Sequence, residues 1–183
     1  MRELHGILGE EQFAIAGRAY QLIHWDRTNQ YCGGCGAVTV HREKERCREC
    51  SSCKQLSYPK MAPAIMALVK KNDQILLARG PQFPQNFFSV LAGYVDPGET
   101  LEQCVAREVA EEVGIQVKNV QYFGSQPSPF SQALMVGFIC DWAAGEIEID
   151  PVEIEVAAWF EKSGLPQLPP HLSLSRMMID SIL

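Results

Sequence analysis

The sequence lacks any apolar run of the roughly 20 residues that a bilayer-spanning helix needs, which predicts a protein without such a helix. It also lacks a basic N-terminal stretch followed by an apolar one, so we expect no secretory leader and, by default, a cytoplasmic location. Basic residues are in the minority: 16 Lys and Arg against 22 Asp and Glu give a net charge of −6. This balance argues against a broad nucleic-acid-binding surface.

Cysteine, in contrast, is concentrated in one segment. Residues 31–58 contain five of the seven cysteines, namely Cys32, Cys35, Cys47, Cys50 and Cys53. In a chain without a leader, this density predicts a metal site rather than disulfides. Cys32 and Cys35 form one pair at ligand spacing, and the second pair is either Cys47 with Cys50 or Cys50 with Cys53. A tetrahedral structural site takes four ligands, so one cysteine is spare.

The segment 93–115 has an unusual acidic helix. It opens with turn residues at 96–98, and the helix is expected to start at Glu99 or Thr100 and to end at Gly114. One face is apolar, formed by Leu101, Val105, Val109 and Val113. Another face holds three glutamates, Glu108, Glu111 and Glu112. This face is either a solvated acidic surface or a site for hard divalent cations, with Arg107 pairing Glu99 or Glu111 to hold the ligands.

The remaining periodicity predicts a mixed α/β chain. Residues 10–25 are expected to form a helix with an apolar face of Phe13, Ala16, Tyr20 and Ile23. Four apolar segments predict strands, at 64–69, 75–78, 117–123 and 134–142. A further strand is expected to end at Trp159 and Phe160. A closing helix is expected over 171–183, with Leu174, Met178 and Ile182 on one face.

The spacing in the acidic segment resembles the Nudix box. Gly93 is followed after five residues by Glu99, and after seven more by the run Arg-Glu-Val-Ala-Glu-Glu-Val-Gly-Ile that ends at Ile115. Resemblance to the Nudix hydrolases implies an α/β/α sandwich that cleaves a nucleoside diphosphate linked to another moiety. It implies catalytic roles for Glu99, Arg107, Glu108, Glu111 and Glu112. It also implies Mg²⁺ or Mn²⁺ held by Ala92 (through its carbonyl), Glu108, Glu111, Glu112 and, after the turn at Asp150 and Pro151, Glu153.

A closer resemblance is to the NADH pyrophosphatase branch of that family. Its members carry a four-cysteine zinc ribbon followed by Tyr-Pro, as at Tyr58 and Pro59, and a loop signature Ser-Gln-Pro-Trp-Pro-Phe-Pro-x-Ser, which residues 125–133 approach. The resemblance implies structural Zn²⁺ on Cys32, Cys35, Cys50 and Cys53, with Cys47 as the extra cysteine, and a homodimer. It implies substrate contacts at Tyr58, Tyr94, Gln126, Pro127, Ser128, Pro129, Phe130, Ser131, Gln132, Ala133 and Ser175.

Three positions of this loop depart from the signature: Ser128 replaces Trp, Ser131 replaces Pro and Ala133 replaces Ser. Loss of the aromatic removes a large contact surface. Three functions therefore stay open. They are hydrolysis of NADH or NAD to AMP and nicotinamide mononucleotide, including NAD-capped RNA 5′ ends; hydrolysis of another nucleotide such as ADP-ribose or a dinucleoside polyphosphate; and non-catalytic nucleotide or RNA binding. The complete box argues against the last.

Three parts are expected along the chain: a helical segment over 1–30, the ribbon over 31–59 and a Nudix domain over 60–183.

Overall fold

The computed structural model describes residues 7–183, which divide into two compact units. One unit comprises the described residues up to Met61 together with Pro127–Ala133, and the other comprises Ala62–Gln126 with Leu134–Leu183. None of the helices in the described part of the chain is long and apolar enough to cross a membrane.

The first unit combines one long helix with a small sheet. Helix α1 spans Glu10–Thr28. The strands β1 (Thr39–His41), β2 (Arg48–Cys50) and β3 (Leu56–Ser57) form an antiparallel sheet in the order β1-β2-β3. Turns before β1 and after β2 bring the cysteine pairs to the same end of the ribbon.

Helix α1 confirms the predicted helix, but two positions of its predicted apolar face are wrong. Tyr20 and Ile23 are 42% and 52% exposed. The residues of α1 that are buried are Gly17 and Trp25. The spacing of apolar residues predicted the wrong buried face of α1. The side that packs against the rest of the unit carries a small residue, Gly17, and a polar one, Gln21.

The second unit is built on a six-stranded sheet. Its strands are β4 (Ala62–Lys71), β5 (Gln74–Arg79), β6 (Leu91–Tyr94), β7 (Gln116–Pro127), β8 (Ala133–Ala144) and β9 (Val156–Glu161). The order is β7-β8-β4-β5-β9, with β6 also pairing with β4. All the predicted strands are present, and β7 and β8 extend beyond their predicted ends.

A helix covers each face of this sheet. Alternate residues of β4 and β5 point to opposite sides, as the period of a strand requires. Ile65 and Leu76 pack with helix α2 (Leu101–Val113), whereas Leu68 and Leu77 pack with helix α3 (Leu174–Asp180). This arrangement confirms the predicted α/β/α sandwich.

Helix α2 follows its predicted limits. Thr100 caps the N-terminus in a capping box with Gln103, and Gly114 ends the helix with a left-handed φ of 72°. Val105, Val109 and Val113 are fully buried in the core. This packing fixes the orientation of α2 on the sheet, and therefore also the positions of Glu108 and Glu112 on another side of the helix. Helix α3 is shorter than predicted at both ends, because Ser173 caps its N-terminus and Ser181 its C-terminus.

Candidate active site

Three carboxylates converge beside helix α2. One oxygen of each of Glu108, Glu112 and Glu153 lies within 4.8 Å of the others. Glu108 and Glu112 are one turn apart on α2 and are buried, while Glu153 is exposed. One oxygen of Glu112, Oε2, is buried and has no hydrogen-bond partner. Unpartnered buried carboxylate oxygens close to other carboxylates fit a hard divalent cation.

A tight turn at Asp150 carries Glu153 to this position. The Asp150 N–H donates to the carbonyl of Glu112 (3.0 Å), which joins the turn to the last turn of α2. The Asp150 carbonyl accepts from the N–H groups of Glu153 and Ile154, and its side chain accepts from Val152 N–H at 2.9 Å. Backbone bonds thus bring together two carboxylates that are 41 residues apart in the sequence.

Burial and the charges of neighbouring carboxylates favour protonation of Glu108 and Glu112, the two members of the cluster on α2. Burial first, then the charges of Glu108 and Glu153, raise the pKa of Glu112 to about 8. Burial also raises the pKa of Glu108, against the opposing effect of Arg107. A bound cation reverses both effects because it stabilises the ionised carboxylates. The donor set therefore fits a hard divalent cation chemically.

Gly93 on β6 makes room for Glu108. A Cβ added to Gly93 would lie 1.9 Å from Glu108 Cδ and about as close to both carboxylate oxygens. Any side chain at this position would therefore displace the carboxylate, and glycine is required for close approach rather than for an unusual φ.

Arg107 holds the remaining acids of the box. Its guanidinium donates twice to Glu99 (3.0 and 2.6 Å), once each to Glu108 (2.9 Å) and Glu111 (2.8 Å), and to the Tyr94 carbonyl (3.0 Å). Arg107 first, and then the Asp96 N–H, lower the pKa of Glu99 to about 2. Glu111 remains exposed and lies outside the group of three converging carboxylates.

A cavity of about 470 Å³ adjoins the cluster. Glu112, Glu153 and Ala92 all line it. Gln82 and Phe83, which the sequence did not indicate as site residues, also line the cavity. Phe83 stacks on Phe87 at 5.2 Å between ring centroids. The sequence feature that could have indicated this part of the site is the pair of aromatic residues, Phe83 within the proline-containing loop 81–86 and Phe87 directly after it.

The four predicted zinc ligands also converge. The Sγ–Sγ distances are 3.6 Å for Cys32–Cys53 and 3.5 Å for both Cys35–Cys50 and Cys35–Cys53. A tetrahedron with Zn–S bonds of about 2.3 Å has edges of about 3.8 Å, so the four thiols fit zinc and are too far apart for disulfides. Cys47 is fully buried and lies outside this group. The Cys53 N–H lowers the pKa of Cys50 to about 6, which favours the thiolate that zinc binds.

The predicted substrate contacts outside the loop have different surroundings. Tyr94 is exposed on β6. Tyr58, in the first unit, is also exposed, and its hydroxyl donates to Glu45 at 2.8 Å. Ser175 is 1% exposed and exchanges a hydrogen bond with Ser89, which itself lines the cavity. Ser175 therefore lies behind the wall rather than on it.

Residues of the loop signature are divided between the two units. The Gln126 amide donates to Leu172 O (2.8 Å) and accepts from Leu174 N–H (2.9 Å), so both ends of this side chain are used to hold the start of α3. The following residues, Pro127, Ser128, Pro129, Phe130, Ser131, Gln132 and Ala133, belong to the first unit.

Comparison with known proteins agrees with this geometry. Residues 60–180 match the NUDIX domain family, and residues 27–58 match the NADH pyrophosphatase zinc ribbon domain. The chain belongs to the Nudix family. Its Nudix domain thus follows a zinc ribbon of the NADH pyrophosphatase type, and the carboxylate cluster lies inside the matched segment.

Two curated relatives and one solved structure illustrate the similarity. The NAD-capped RNA hydrolase NudC of Deinococcus radiodurans is 44% identical over 187 residues, covering 100% of this chain and 67% of the relative. That of Pseudomonas aeruginosa (strain LESB58) is 44% identical over 177 residues, covering 97% and 63%. The chain thus spans about two thirds of their length. A Nudix hydrolase from Nitrosomonas europaea has the same fold, with a TM-score of 0.64, 20% identity and coverage of 75% and 80%.

Proposed function

We propose that this chain hydrolyses the pyrophosphate bond of NADH and NAD, releasing AMP and nicotinamide mononucleotide. The observation that carries the proposal is the convergence of Glu108, Glu112 and Glu153, with an unpartnered buried oxygen of Glu112, at the edge of a 470 Å³ cavity. A zinc ribbon of the NADH pyrophosphatase type in the same chain supports a dinucleotide as the substrate.

In this proposal Glu108, Glu112 and Glu153 hold Mg²⁺ or Mn²⁺, together with Glu111 and the Ala92 carbonyl. When bound, the cation neutralises pyrophosphate oxygens and lowers the pKa of a water molecule. Arg107 fixes the direction of Glu108 through its 2.9 Å bond, and Glu99 in turn fixes Arg107 through two bonds. These two residues therefore orient the cluster.

The reaction breaks one bond and forms one. The oxygen of a water molecule adds to one phosphorus, and the bond from that phosphorus to the bridging oxygen breaks, so two monophosphates leave. A carboxylate of the cluster accepts the proton released by the water. Val90 and Ile154 are among the apolar residues that line the cavity beside this centre.

We further propose that the chain acts on NAD-capped RNA 5′ ends. The curated relatives carry that activity in their names, and they share 44% identity over nearly the whole chain. The exposed Tyr94 supplies an aromatic surface for a base. Substrate contacts at Tyr58 and at residues 126–133 rest on the family resemblance alone, and the buried Ser175 reaches the cavity wall only through Ser89. We also propose that the chain forms a homodimer, as the family resemblance implies, and that it is cytoplasmic. The ribbon binds structural Zn²⁺ in this proposal. The chain then has three parts: a helical segment over 1–30, the ribbon over 31–59 and the Nudix domain over 60–183.

The loop favours a second candidate substrate class. Ser128 offers no aromatic surface where the NADH pyrophosphatase signature has Trp. A site without this aromatic contact selects less strongly for substrates that carry a second aromatic ring, such as nicotinamide, over substrates that lack one. ADP-ribose and dinucleoside polyphosphates, which retain the pyrophosphate linkage, are the alternative substrates.

A turnover panel separates these candidates. NADH, NAD, ADP-ribose, diadenosine polyphosphates and a short NAD-capped RNA are incubated with zinc-loaded protein and Mg²⁺ or Mn²⁺, and the products are resolved by chromatography. The proposal expects the highest kcat/KM for NADH, NAD or the capped RNA, with AMP-containing and nicotinamide-mononucleotide products in equal amounts. A higher kcat/KM for ADP-ribose or a polyphosphate selects the second candidate. Cation binding without turnover of any compound would refute a hydrolase.

A further inference from the structure

Gln21 of helix α1 contacts the loop that joins β7 to β8 through its side-chain amide. The terminal nitrogen of Gln21 donates to the carbonyl of Ser128 at 2.7 Å and to the carbonyl of Ser131 at 3.2 Å. Both partners are acceptors, so the amide nitrogen rather than its oxygen must face them. The two N–H bonds of a single –NH₂ group are therefore both used, and they fix the separation of two loop carbonyls.

The loop itself is closed by short-range bonds. The Ser128 N–H donates to Ala133 O at 2.9 Å, which closes its base. Inside it, Phe130 N–H donates to the Ser128 hydroxyl (3.4 Å), and Ala133 N–H donates to the Ser131 hydroxyl (3.3 Å). The hydroxyls of Ser128 and Ser131, the two serines that depart from the family signature, thus accept hydrogen bonds from within the loop. Their backbone carbonyls accept from a residue outside the loop.

A second contact of α1 with the loop lies two turns from Gln21. The rings of Phe13 and Phe130 are 6.0 Å apart and inclined by 53°. Phe13 and Gln21 therefore lie on one face of the helix and both contact residues 127–133, which pack with this unit. Gln21 falls outside both matched segments, 27–58 and 60–180, so the family comparisons assign it no role.

We propose that Gln21 is a positioning residue for substrate recognition, holding the 127–133 loop in one conformation through the Ser128 and Ser131 carbonyls. This inference rests on the proposed function, in which the loop contacts the dinucleotide. A loop that must be ordered at binding costs affinity, and a loop already ordered does not. Gln21 therefore acts on KM and leaves the chemical step, at the carboxylates, unchanged.

The test compares Gln21→Leu with Gln12→Leu, which makes the same change at an exposed position of the same helix. Amide hydrogen exchange is measured at residues 128, 130 and 133, and steady-state kinetics are measured with NADH and Mg²⁺. For Gln21→Leu we expect exchange about tenfold faster at these amides, equivalent to about 1.4 kcal/mol, a KM about five- to tenfold higher and a kcat within twofold of wild type. Gln12→Leu should match wild type in all three.

A second variant protects the test against misfolding. Gln21→Glu keeps the shape of the side chain and replaces the donors by acceptors, so it should accelerate exchange at the same amides, with zinc content and ribbon exchange unchanged. Unchanged exchange in both variants would overturn the proposal, as would faster exchange with an unchanged KM. If the wild-type chain turned over no dinucleotide, the proposed function and Gln21's role in recognition would both fail, while exchange would still show whether Gln21 orders the loop.

Discussion

Gly93 and Glu108 lie so close together that a single methyl group between them would occupy the space of the carboxylate. A Cβ at Gly93 would stand 1.9 Å from Glu108 Cδ. The backbone of β6 pairs with β4 through Gly93 and Ile65, so it has little freedom to move away. The position of Glu108 in the cluster therefore depends on the absence of a side chain on the neighbouring strand.

Gly93→Ala should consequently lower kcat/KM by about 100-fold, because Glu108 has to leave the cluster. The affinity for Mn²⁺ should fall as well. Overpacking of this kind also costs about 1–3 kcal/mol of stability. Gly164→Ala is the control, since a Cβ there meets nothing within 4 Å. Kinetics and Mn²⁺ titration followed by paramagnetic resonance measure both effects. Wild-type values for Gly93→Ala would show that the close approach has no role in the reaction.

Glu112→Gln should abolish turnover, with a loss of at least about 100-fold, and leave the fold intact. Glu112 supplies the unpartnered buried oxygen of the cluster, and a catalytic cation is worth several kcal/mol of transition-state stabilisation. The matched control is Glu102→Gln, on an exposed position of the same helix. Circular dichroism and product formation from NADH with Mg²⁺ are compared for the two variants. Normal activity of Glu112→Gln with an unchanged metal requirement would remove Glu112 from the site.

The same carboxyl makes stability depend on pH in the absence of Mg²⁺ and Mn²⁺. The pKa of Glu112 is raised in the fold to about 8 from an ordinary value of 4.5, so the folded chain retains a proton that the unfolded chain releases. This contribution to the unfolding free energy is fully present below pH 4.5 and is lost as pH rises towards 8, at about 1 kcal/mol per pH unit.

Urea unfolding of zinc-loaded protein at several pH values tests this dependence. The difference in unfolding free energy between Glu112→Gln and wild type should grow in favour of the variant as pH rises from 5 to 8, and Mg²⁺ should reduce the difference by stabilising wild type. A difference that stayed constant across this pH range would mean that Glu112 is already ionised in the metal-free fold.

Cys32→Ser should lose zinc and stability, whereas Cys47→Ser should retain one zinc per chain. Cys32 is within 3.6 Å of Cys53 in the four-thiol group, and Cys47 is buried outside it. Losing one ligand of a structural zinc removes much of the folding free energy of a small ribbon. Zinc content by atomic absorption and thermal unfolding are measured for both variants. Full zinc occupancy in Cys32→Ser, or loss of zinc in Cys47→Ser, would change the ligand assignment.

Local sequence spacing was sufficient for the pair Glu108 and Glu112, because a four-residue separation on a helix places side chains on one face. Family resemblance was needed for Glu153, since only the backbone bond between Asp150 and Glu112 brings that turn to the helix. Neither source could indicate that Gln21 faces a loop more than 100 residues away, because a polar residue on a buried helix face has no periodic signal. The buried face of α1 carries small and polar residues, so apolar spacing wrongly predicted that Tyr20 and Ile23 belong to it.

The loop at residues 127–133 also bears on how this protein could be recombined with its relatives. These seven residues pack with the N-terminal part of the chain, while the strands on either side continue into the other unit. No single cut in the polypeptide therefore separates the two. A chimaera that exchanges residues 1–61 alone would present a foreign helix to a native loop, and compatible grafting requires that residues 127–133 be transferred with them.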